Sequence, residues 1–326
     1  MTQHTSDISI ICLVCRGTRA CHTLTLNGHD VYTCRICGFT FVSPTPTLED
    51  LACFYDQAYA VPFERYAHNV ARNENRIVEL ERWVPERGYL LEIGASYGHS
   101  LAVAQSRGWR VAGVELSPTA ARYARDHFGL SVATTDLLDA HFTEHFDAAI
   151  MWHVLEHTHN PVAQLEHIHT LLRPGGVLGL RVPNITSFGA RVAGRAWPWM
   201  CPPTHLWYFS PQTLPRLLAR LGYEVIEVTT LRGDGNNPYH HLLCGTGSRL
   251  NTLRRRLTQR QPVLSNISNG TAPSNLPQLQ NVWVSLLQRA QPTTDWMADL
   301  TQKPLAALDQ SGWGDELLCY ARRLSS

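Results

Sequence analysis

Four cysteines near the start of the chain are spaced as ligands of one metal ion. Cys12 and Cys15 form one C-x-x-C pair, Cys34 and Cys37 form another, and 18 residues separate the two pairs. This spacing is typical of a tetrahedral site of four thiolates, and zinc is the ion that such sites prefer. Because four protein ligands leave no position for water, the predicted zinc is structural. The residues between the pairs alternate as in a β-hairpin, which predicts a zinc ribbon over residues 1–45.

A second group of polar side chains lies in the stretch MWHVLEH, residues 151–157. His153 and His157 are four residues apart, so on a helix they would share a face, with Glu156 between them in sequence. A metal bound by this pair would need a third ligand, and the neighbouring sequence supplies no obvious one. An imidazole pKa near neutrality suits a general base instead, a role that we also consider for His205 in THLWYF. A structural hydrogen-bonding role stays open for all three histidines.

The stretch LLEIGASYGHS, residues 90–100, can bring backbone close to a ligand. Gly94, Ala95, Ser96 and Gly98 are small, and a helix is predicted directly after them. The N–H groups at the start of that helix would favour a carboxylate or a phosphate.

Two acids accompany this loop. Glu92 comes just before Gly94, and Glu115 ends the next predicted strand, where an acid can accept both hydroxyls of a ribose. Dinucleotides and S-adenosylmethionine are both bound by this layout. The loop lacks the G-x-G-x-x-G pattern of dinucleotide sites, and Glu92 would repel a pyrophosphate but suits the ammonium of a methionine moiety. We therefore predict S-adenosylmethionine as the cofactor.

Alternating strands and helices from about residue 70 must position these groups. Ser117 and Asn160, each followed by proline, predict two helix starts, and the Ser210–Pro211 pair predicts a third. Strands that alternate with helices predict a parallel sheet covered on both faces, with its ligands at the carboxyl ends of the strands. The six predicted strands are YLLEIG, WRVAGVEL, LSVATTD, FDAAIMW, GVLGLRVPN and YEVIEVTTL.

Six segments within residues 70–230 are similar, in order and spacing, to the class I S-adenosylmethionine-dependent methyltransferases. The resemblance is to the small-molecule branch that includes the ubiquinone-type O-methyltransferases. The N-terminal cysteine pairs resemble those of a subgroup with a zinc ribbon before this domain. The segments are LLEIGASYGHS, VAGVELSP, TTDLLD, FDAAIMWHVLEH, LLRPGGVLGLRVPN and THLWYFSPQTLPRLLARLGY.

The resemblance implies roles for single residues. Glu92, Gly94 and Gly98 would hold the methionine end of the cofactor, and Glu115 would bind its ribose. Ser96 stands where the family usually has glycine. The other residues expected at the cofactor are Ala95, Ser96, Leu116, Asp136, Leu137 and Trp152, of which Asp136 and Leu137 would lie beside the adenine.

The last residues complete the expected architecture. GWGDELLCYARR resembles the seventh, antiparallel strand of an α/β, Rossmann-like class I methyltransferase sheet. The methyltransferase domain would then cover residues 70–326, after a linker or helical cover over 46–69. Residues 232–312 would form a helical insertion between strands six and seven. This insertion could be a lid or the face of a homodimer, and both readings stay open.

The bulk composition excludes some classes of protein. The 326 residues are 44% hydrophobic and 17% charged, as in a globular protein with a core. No apolar run reaches the length of a membrane span, and the first residues lack the pattern of a signal peptide. We therefore expect a cytoplasmic protein without a membrane partner. The net charge of +1 and the lack of a Lys/Arg stripe on the ribbon argue against nucleic acid.

These observations leave three functions to compare. The main hypothesis is methyl transfer to a small molecule such as a natural product or a sugar, with oxygen as the favoured acceptor atom. The first alternative keeps the chemistry and makes the substrate a peptide or RNA. The second is a non-catalytic, zinc-containing interaction protein on the same fold, against which stand the intact acids Glu92, Glu115 and Asp136.

Overall fold

The computed structural model describes residues 7–47, 70–231 and 312–324. Most of the predicted linker over 46–69, and nearly all of the predicted insertion over 232–312, therefore lie outside the described residues. Twelve strands are described: β1 (Asp7–Ser9), β2 (Arg19–Leu26), β3 (His29–Cys34), β4 (Thr40–Val42), β5 (Tyr89–Ile93), β6 (Arg110–Glu115), β7 (Val132–Thr134), β8 (Phe146–Trp152), β9 (Leu172–Pro183), β10 (Trp207–Tyr208), β11 (Tyr223–Leu231) and β12 (Glu316–Arg323). The described α-helices are α1 (Val70–Glu81), α2 (His99–Ser106), α3 (Pro118–Phe128), α4 (Pro161–Leu171), α5 (Phe188–Ala193) and α6 (Thr213–Arg220).

Seven strands form one large sheet in the order β11-β12-β9-β8-β5-β6-β7. Strands β9, β8, β5, β6 and β7 are parallel to one another, and β12 is antiparallel to both β9 and β11. This arrangement confirms the predicted α/β sheet with a seventh, antiparallel strand. It also places the carboxyl ends of β5, β6, β7 and β8 along one edge.

The central strands are apolar because both faces of the sheet are covered. Successive residues of β8 point to opposite faces, so Ala149 and Met151 join one core cluster while Ala148 and Ile150 join the other. Because β8 is packed on both faces, the residues that follow it are held in place for a site.

Local capping explains where the helices begin. The Ser117 Oγ accepts the Ala120 N–H at 3.3 Å, and the Asn160 side chain accepts the Ala163 N–H at 3.1 Å, as predicted for α3 and α4. The third predicted start is wrong, since α6 begins at Thr213 and not at Pro211. This later start puts Pro215 in the first turn, where the N–H that proline lacks would have no helical partner.

The ribbon is larger than a hairpin. Strands β2 and β3 form the predicted antiparallel hairpin, and β1 and β4 flank it. The fifth strand, β10, comes from more than 160 residues later in the chain and pairs with β4. One hydrophobic core therefore contains residues of both sheets, such as Phe39 of the ribbon and Phe209 beyond it. No helix in the described part of the chain is both long and apolar enough to cross a bilayer.

Candidate functional site

The four predicted zinc ligands converge. The Sγ atoms of Cys12 and Cys37 are 3.6 Å apart, and so are those of Cys15 and Cys34. Tetrahedral ligands with a zinc–sulfur distance of about 2.3 Å are separated by about 3.8 Å, so this spacing fits a zinc ion. None of the four forms a disulfide.

Burial and backbone N–H groups act in opposite directions on these cysteines, and burial raises the pKa of Cys37 as well as that of Cys12. The Gly17 N–H approaches the Cys15 Sγ at 3.4 Å, and Gly38, after the second pair, has a φ of 75° that glycine adopts readily. Burial raises the pKa of Cys12 to about 11. At Cys34 burial also acts upward, but the backbone N–H groups of Cys37 and Ile36 outweigh it and bring the pKa down to about 7. These residues fit a structural metal and leave no ligand position open for a substrate.

The carboxyl ends of β5 and β6 bring the two predicted acids to one edge of the large sheet. Glu92 is 3% exposed, and its Oε2 has no hydrogen-bond partner among the described residues. Burial, with a smaller contribution from the nearby Glu115 carboxylate, raises the pKa of Glu92 to about 8 against the opposing effects of Ser100 and Arg76. A buried carboxyl with an unpartnered oxygen is suited to an ammonium group that would enter from the site.

The Glu115 carboxylate accepts hydrogen bonds from both the loop after β5 and the start of α3. Its Oε2 accepts the Ser96 N–H at 2.8 Å, and its Oε1 accepts the Ser117 N–H at 2.7 Å. A carboxylate oxygen can accept more than one hydrogen bond, so these two bonds orient the carboxylate and leave capacity for the two hydroxyls of a ribose.

The loop itself has the conformation that small residues permit. Gly94 and Gly98 have φ of 71° and 80°, and Ser96 has φ of 48°. A methyl group on Gly94 would lie 2.5 Å from a Val154 methyl carbon, and one on Gly98 would lie 2.8 Å from the Ala124 methyl. These glycines are required by the close contacts of the loop, whatever it binds.

The prediction for the adenine region has to be revised at one residue. The Asp136 Oδ1 accepts the Leu138 N–H and the Gln164 amide, each at 2.9 Å, which fixes its side chain beside the end of β7. Leu137 is buried, so only its backbone could contact a ligand. The exposed apolar side chains are Leu116, which was predicted, and Leu138, which sequence reasoning missed.

His153 lies between two buried acids. It has φ of 57°, its Nδ1 is 3.5 Å from Glu156, and its Nε2 is 3.3 Å from Glu316 at the start of β12. Burial lowers the pKa of His153, but the two carboxylates outweigh burial and bring the pKa to about 9. His153 is therefore an imidazolium at neutral pH and cannot accept a proton there, which argues against the predicted role as a base.

His157 and His205 each bond to a backbone carbonyl. The Nδ1 of His157 is 2.8 Å from the Thr204 carbonyl, and the Nδ1 of His205 is 2.8 Å from the Trp199 carbonyl. A carbonyl can only accept, so each Nδ1 carries a proton, and the Nε2 of His157 lies 3.8 Å from the Glu156 Oε1. Burial and the neighbouring His157 lower the pKa of His205 to about 3.

The indole of Trp199 lies between two of these histidines. It stacks on His153 at 5.5 Å and on His205 at 5.7 Å between ring centroids. Most of its aromatic neighbours in sequence are core residues, since Trp197, Trp207, Tyr208 and Phe209 are all buried. The aromatic segment is thus mainly packing, and Trp199 is the member that contacts the candidate site.

The fold also supplies the third metal ligand that the local sequence lacks. One ligand atom each from Glu156, His157 and His205 lies within 4.8 Å of the others. Two histidines and a carboxylate could hold a divalent ion. However, the His153 imidazolium already places a positive charge beside Glu156, so the charge of this buried carboxylate is balanced by the protein itself.

Two charged residues that sequence reasoning missed support the same edge. Arg76 of α1 lowers the pKa of Glu92 and lies 6.0 Å from the Trp152 ring. Arg181 lies 5.7 Å from the same ring and pairs with Glu79 and Glu316. Two guanidinium groups therefore lie close to the ring of the predicted cofactor residue Trp152. Residues 70–84 have the pattern of an amphipathic helix, and a charged residue on the apolar face of that helix was the signal that could have identified Arg76.

Comparisons with known proteins agree with this architecture. Residues 63–228 match the methyltransferase-domain family. A ubiquinone biosynthesis O-methyltransferase of Cereibacter sphaeroides is 29% identical over 150 residues, which cover 42% of this chain and 61% of that protein. The enzyme of the same name from Dinoroseobacter shibae is 31% identical over 90 residues, 26% of this chain and 36% of that one. The chain thus spans about three fifths, or less, of the length of these relatives.

Among solved structures, a SAM-dependent methyltransferase from Archaeoglobus fulgidus is similar with a TM-score of 0.45 and 16% identity, over 80% of this chain and all of that one. Another, from Mesorhizobium loti, has a TM-score of 0.44 and 17% identity, over 75% of this chain and 96% of that one. The family match covers more than half of the chain and includes every strand of the parallel part of the large sheet. On that match, the protein belongs to the methyltransferase-domain family.

Proposed function

We propose that the protein is an S-adenosylmethionine-dependent methyltransferase that acts on a small molecule, with a hydroxyl oxygen as the favoured acceptor. The observation that carries the proposal is the edge formed by β5, β6 and β7, where a buried Glu92, an oriented Glu115 and a capping Asp136 follow one another. Oxygen is favoured because the named relatives are O-methyltransferases.

The residues of this edge would bind the cofactor from end to end. Glu92 would pair with the ammonium of its methionine moiety, Glu115 with its ribose hydroxyls, and Asp136 with its adenine. Leu116 and Leu138 would cover the apolar faces of the base. When bound, S-adenosylmethionine supplies an electrophilic methyl group on a sulfonium that leaves as a neutral thioether.

The protein then has to position the acceptor and remove one proton. His157 is the best candidate for this base, because it is partly exposed while His205 is almost completely buried. The Thr204 carbonyl would keep the Nδ1 proton in place, so that Nε2 can accept the proton of a hydroxyl as its oxygen attacks. His205 and Trp199 would hold the ring of His157 and line the acceptor side.

Cofactor binding tests the first half of the proposal. Glu115→Ala should weaken S-adenosylmethionine binding at least about tenfold in calorimetry, because two hydroxyls would lose a charged acceptor. Glu144→Ala, an exposed glutamate that pairs with Arg110, is the matched control and should leave binding unchanged. Equal affinity of Glu115→Ala and wild type would contradict the proposed site.

Methyl transfer tests the second half. The purified protein is incubated with methyl-labelled S-adenosylmethionine and an extract of its source organism, and the products are divided by RNase, protease and solvent extraction. We expect the label in a small extractable compound. Label in RNA or in peptide would instead support the alternative substrates, and cofactor binding without any transfer would favour the non-catalytic alternative.

A further inference from the structure

Strand β10 connects the ribbon to the acceptor side of the candidate site. Trp207 and Tyr208 pair with Phe41 and Thr40 of β4, so a piece of the methyltransferase part is the edge strand of the ribbon sheet. The Val42 N–H extends this ladder by donating to the Leu206 carbonyl at 2.9 Å. The residue before Leu206 is His205.

The turn that contains the second cysteine pair ends at an aromatic residue that contacts the same strand. The Cys34 N–H donates to the Phe39 carbonyl at 2.8 Å, which closes the turn that contains Cys37. The ring of Phe39 is fully buried and stacks on Trp207, with centroids 6.3 Å apart and an interplanar angle of 10°. It also meets Phe209 at 5.4 Å. The conformation of the metal-binding turn therefore determines where this ring lies against β10.

The tip of the ribbon hairpin makes a separate attachment. Asn27 and Gly28 have φ of 52° and 82°, the left-handed values of a tight hairpin turn. This turn directs the Asn27 amide to the Pro202 carbonyl, which it meets at 2.9 Å. Pro202 lies between Trp199 and His205, so the hairpin tip holds the segment 197–206 at its middle.

The same segment is attached at its other side to the loop after β8. The Leu206 and Trp207 N–H groups both donate to the Glu156 carbonyl, at 2.9 and 3.3 Å. The candidate base His157 follows Glu156 and is bonded to the Thr204 carbonyl. In contrast, the bonds that orient Glu115 on the cofactor side come from Ser96 and Ser117 of the large sheet and its connections.

We propose that the four-cysteine ribbon is a brace that positions segment 197–206 and, through it, His157, His205 and Trp199 on the acceptor side. This inference rests on the proposed function for the meaning of "acceptor side", but the attachment itself does not depend on it. Asn27 and Phe39 are then positioning residues. Loss of the ribbon metal should loosen the acceptor side and leave the cofactor side in place.

Hydrogen exchange measured by mass spectrometry tests the attachment directly. The zinc-loaded protein is compared with chelator-treated protein and with Asn27→Ala and Phe39→Leu. The control is Thr25→Ala, whose hydroxyl bonds to Asp30 within the same hairpin and does not reach segment 197–206. We expect faster exchange in residues 197–209 after metal removal and in both test variants, with unchanged exchange in residues 89–98 and 110–117.

Affinity and kinetics supply the second readout. The dissociation constant of S-adenosylmethionine should stay within about twofold in Asn27→Ala and Phe39→Leu, since the bonds from Ser96 and Ser117 that orient Glu115 do not involve these two residues. Once an acceptor is identified, kcat/KM for that acceptor should fall roughly tenfold or more while the KM for S-adenosylmethionine stays constant. A merely structural contact would lower thermal stability without this split.

The outcomes separate the two proposals. Unchanged exchange in residues 197–209 after metal removal would overturn the brace, and so would equal loss of protection in residues 89–117. Faster exchange confined to 197–209 in a protein that binds no S-adenosylmethionine would support the brace and contradict the proposed function.

Discussion

At the scale of single residues, environment divides three similar histidines into different chemical species. His153 meets two buried carboxylates and is charged, whereas His205 meets a backbone carbonyl and another histidine and is neutral. His157 bonds to a backbone carbonyl like His205 but is more exposed than His205. The one-dimensional pattern MWHVLEH cannot make this distinction, because Glu316 and His205 come from distant parts of the chain.

His157→Gln should lower kcat about a hundredfold or more, because the acceptor hydroxyl would lose its base. Its affinity for S-adenosylmethionine should be unchanged. The control is His159→Gln, an exposed histidine two residues further along the chain, and it should keep wild-type kcat. Steady-state kinetics with the identified acceptor provide the measurement, and a kcat for His157→Gln near that of wild type would refute the base.

The raised pKa of Glu92 predicts that protons are released when the cofactor binds. Because burial holds its pKa at about 8, Glu92 is mostly protonated at pH 7, and pairing with an ammonium group should ionise it. Cofactor binding at pH 7 should therefore release close to one proton from wild type and clearly less from Glu92→Gln. Calorimetry in two buffers of different ionisation enthalpy measures this number. The pKa of Glu92 is near 4.5 in the unfolded chain and about 8 in the folded protein. The free energy of unfolding should therefore decrease as the pH rises from about 4.5 to about 8.

At the scale of elements, caps and turns follow local rules that the sequence expresses directly. The starts of α3 and α4 were predictable because a capping side chain and a proline are adjacent in the chain. The start of α6 was not, since the Ser210 and Thr213 hydroxyls bond to each other and to backbone in a turn before the helix. Strand β9 likewise begins at Leu172, before the predicted strand GVLGLRVPN, because Leu172 pairs with Phe146 across the sheet.

Ser117 allows capping and cofactor binding to be separated. Ser117→Ala should lower the free energy of unfolding by about 1 kcal/mol, because α3 loses its cap. Cofactor affinity should persist, since the bond to Glu115 comes from the backbone N–H, which alanine retains. Asn160→Ala, which removes the equivalent cap of α4, should cost a similar amount in urea unfolding. A large loss of cofactor affinity in Ser117→Ala would contradict this separation.

At the scale of the whole molecule, the ribbon is not an independent appendage. Phe39 and Phe41 share one buried core with Trp207 and Phe209 of the methyltransferase part. A change at the cysteines should therefore be transmitted to the larger body through apolar contacts as well as through β10.

The double variant Cys12→Ser, Cys34→Ser should reduce bound zinc from about one ion per chain to nearly none. The main thermal transition should also move to lower temperature, because the shared core loses its support. Elemental analysis and calorimetry measure the two effects, and Cys21→Ser, outside the four-cysteine centre, is the control. An unshifted transition would show that the ribbon does not support the core. If elemental analysis finds a second metal ion per chain and His205→Gln removes it, that ion lies at Glu156, His157 and His205.

Features that depend on neighbouring residues could be predicted from local patterns in the chain. The two cysteine pairs, the strands that surround Glu92 and Glu115, and the caps at Ser117 and Asn160 could all be predicted because their spacing or periodicity is local. The seven-stranded sheet with an antiparallel last strand was expected from resemblance to a family whose motifs occur in the same order along the chain.

Features that depend on contacts between distant segments became visible in the folded protein alone. The fold placed Glu316 on His153, His205 beside His157, and the ribbon against β10. It also buried Leu137 and exposed Leu138, a difference of one residue that reverses which side chain can meet a ligand. Burial, charge state and accessibility arise from the sum of all surrounding groups, and those groups are adjacent in the fold without being adjacent in the chain.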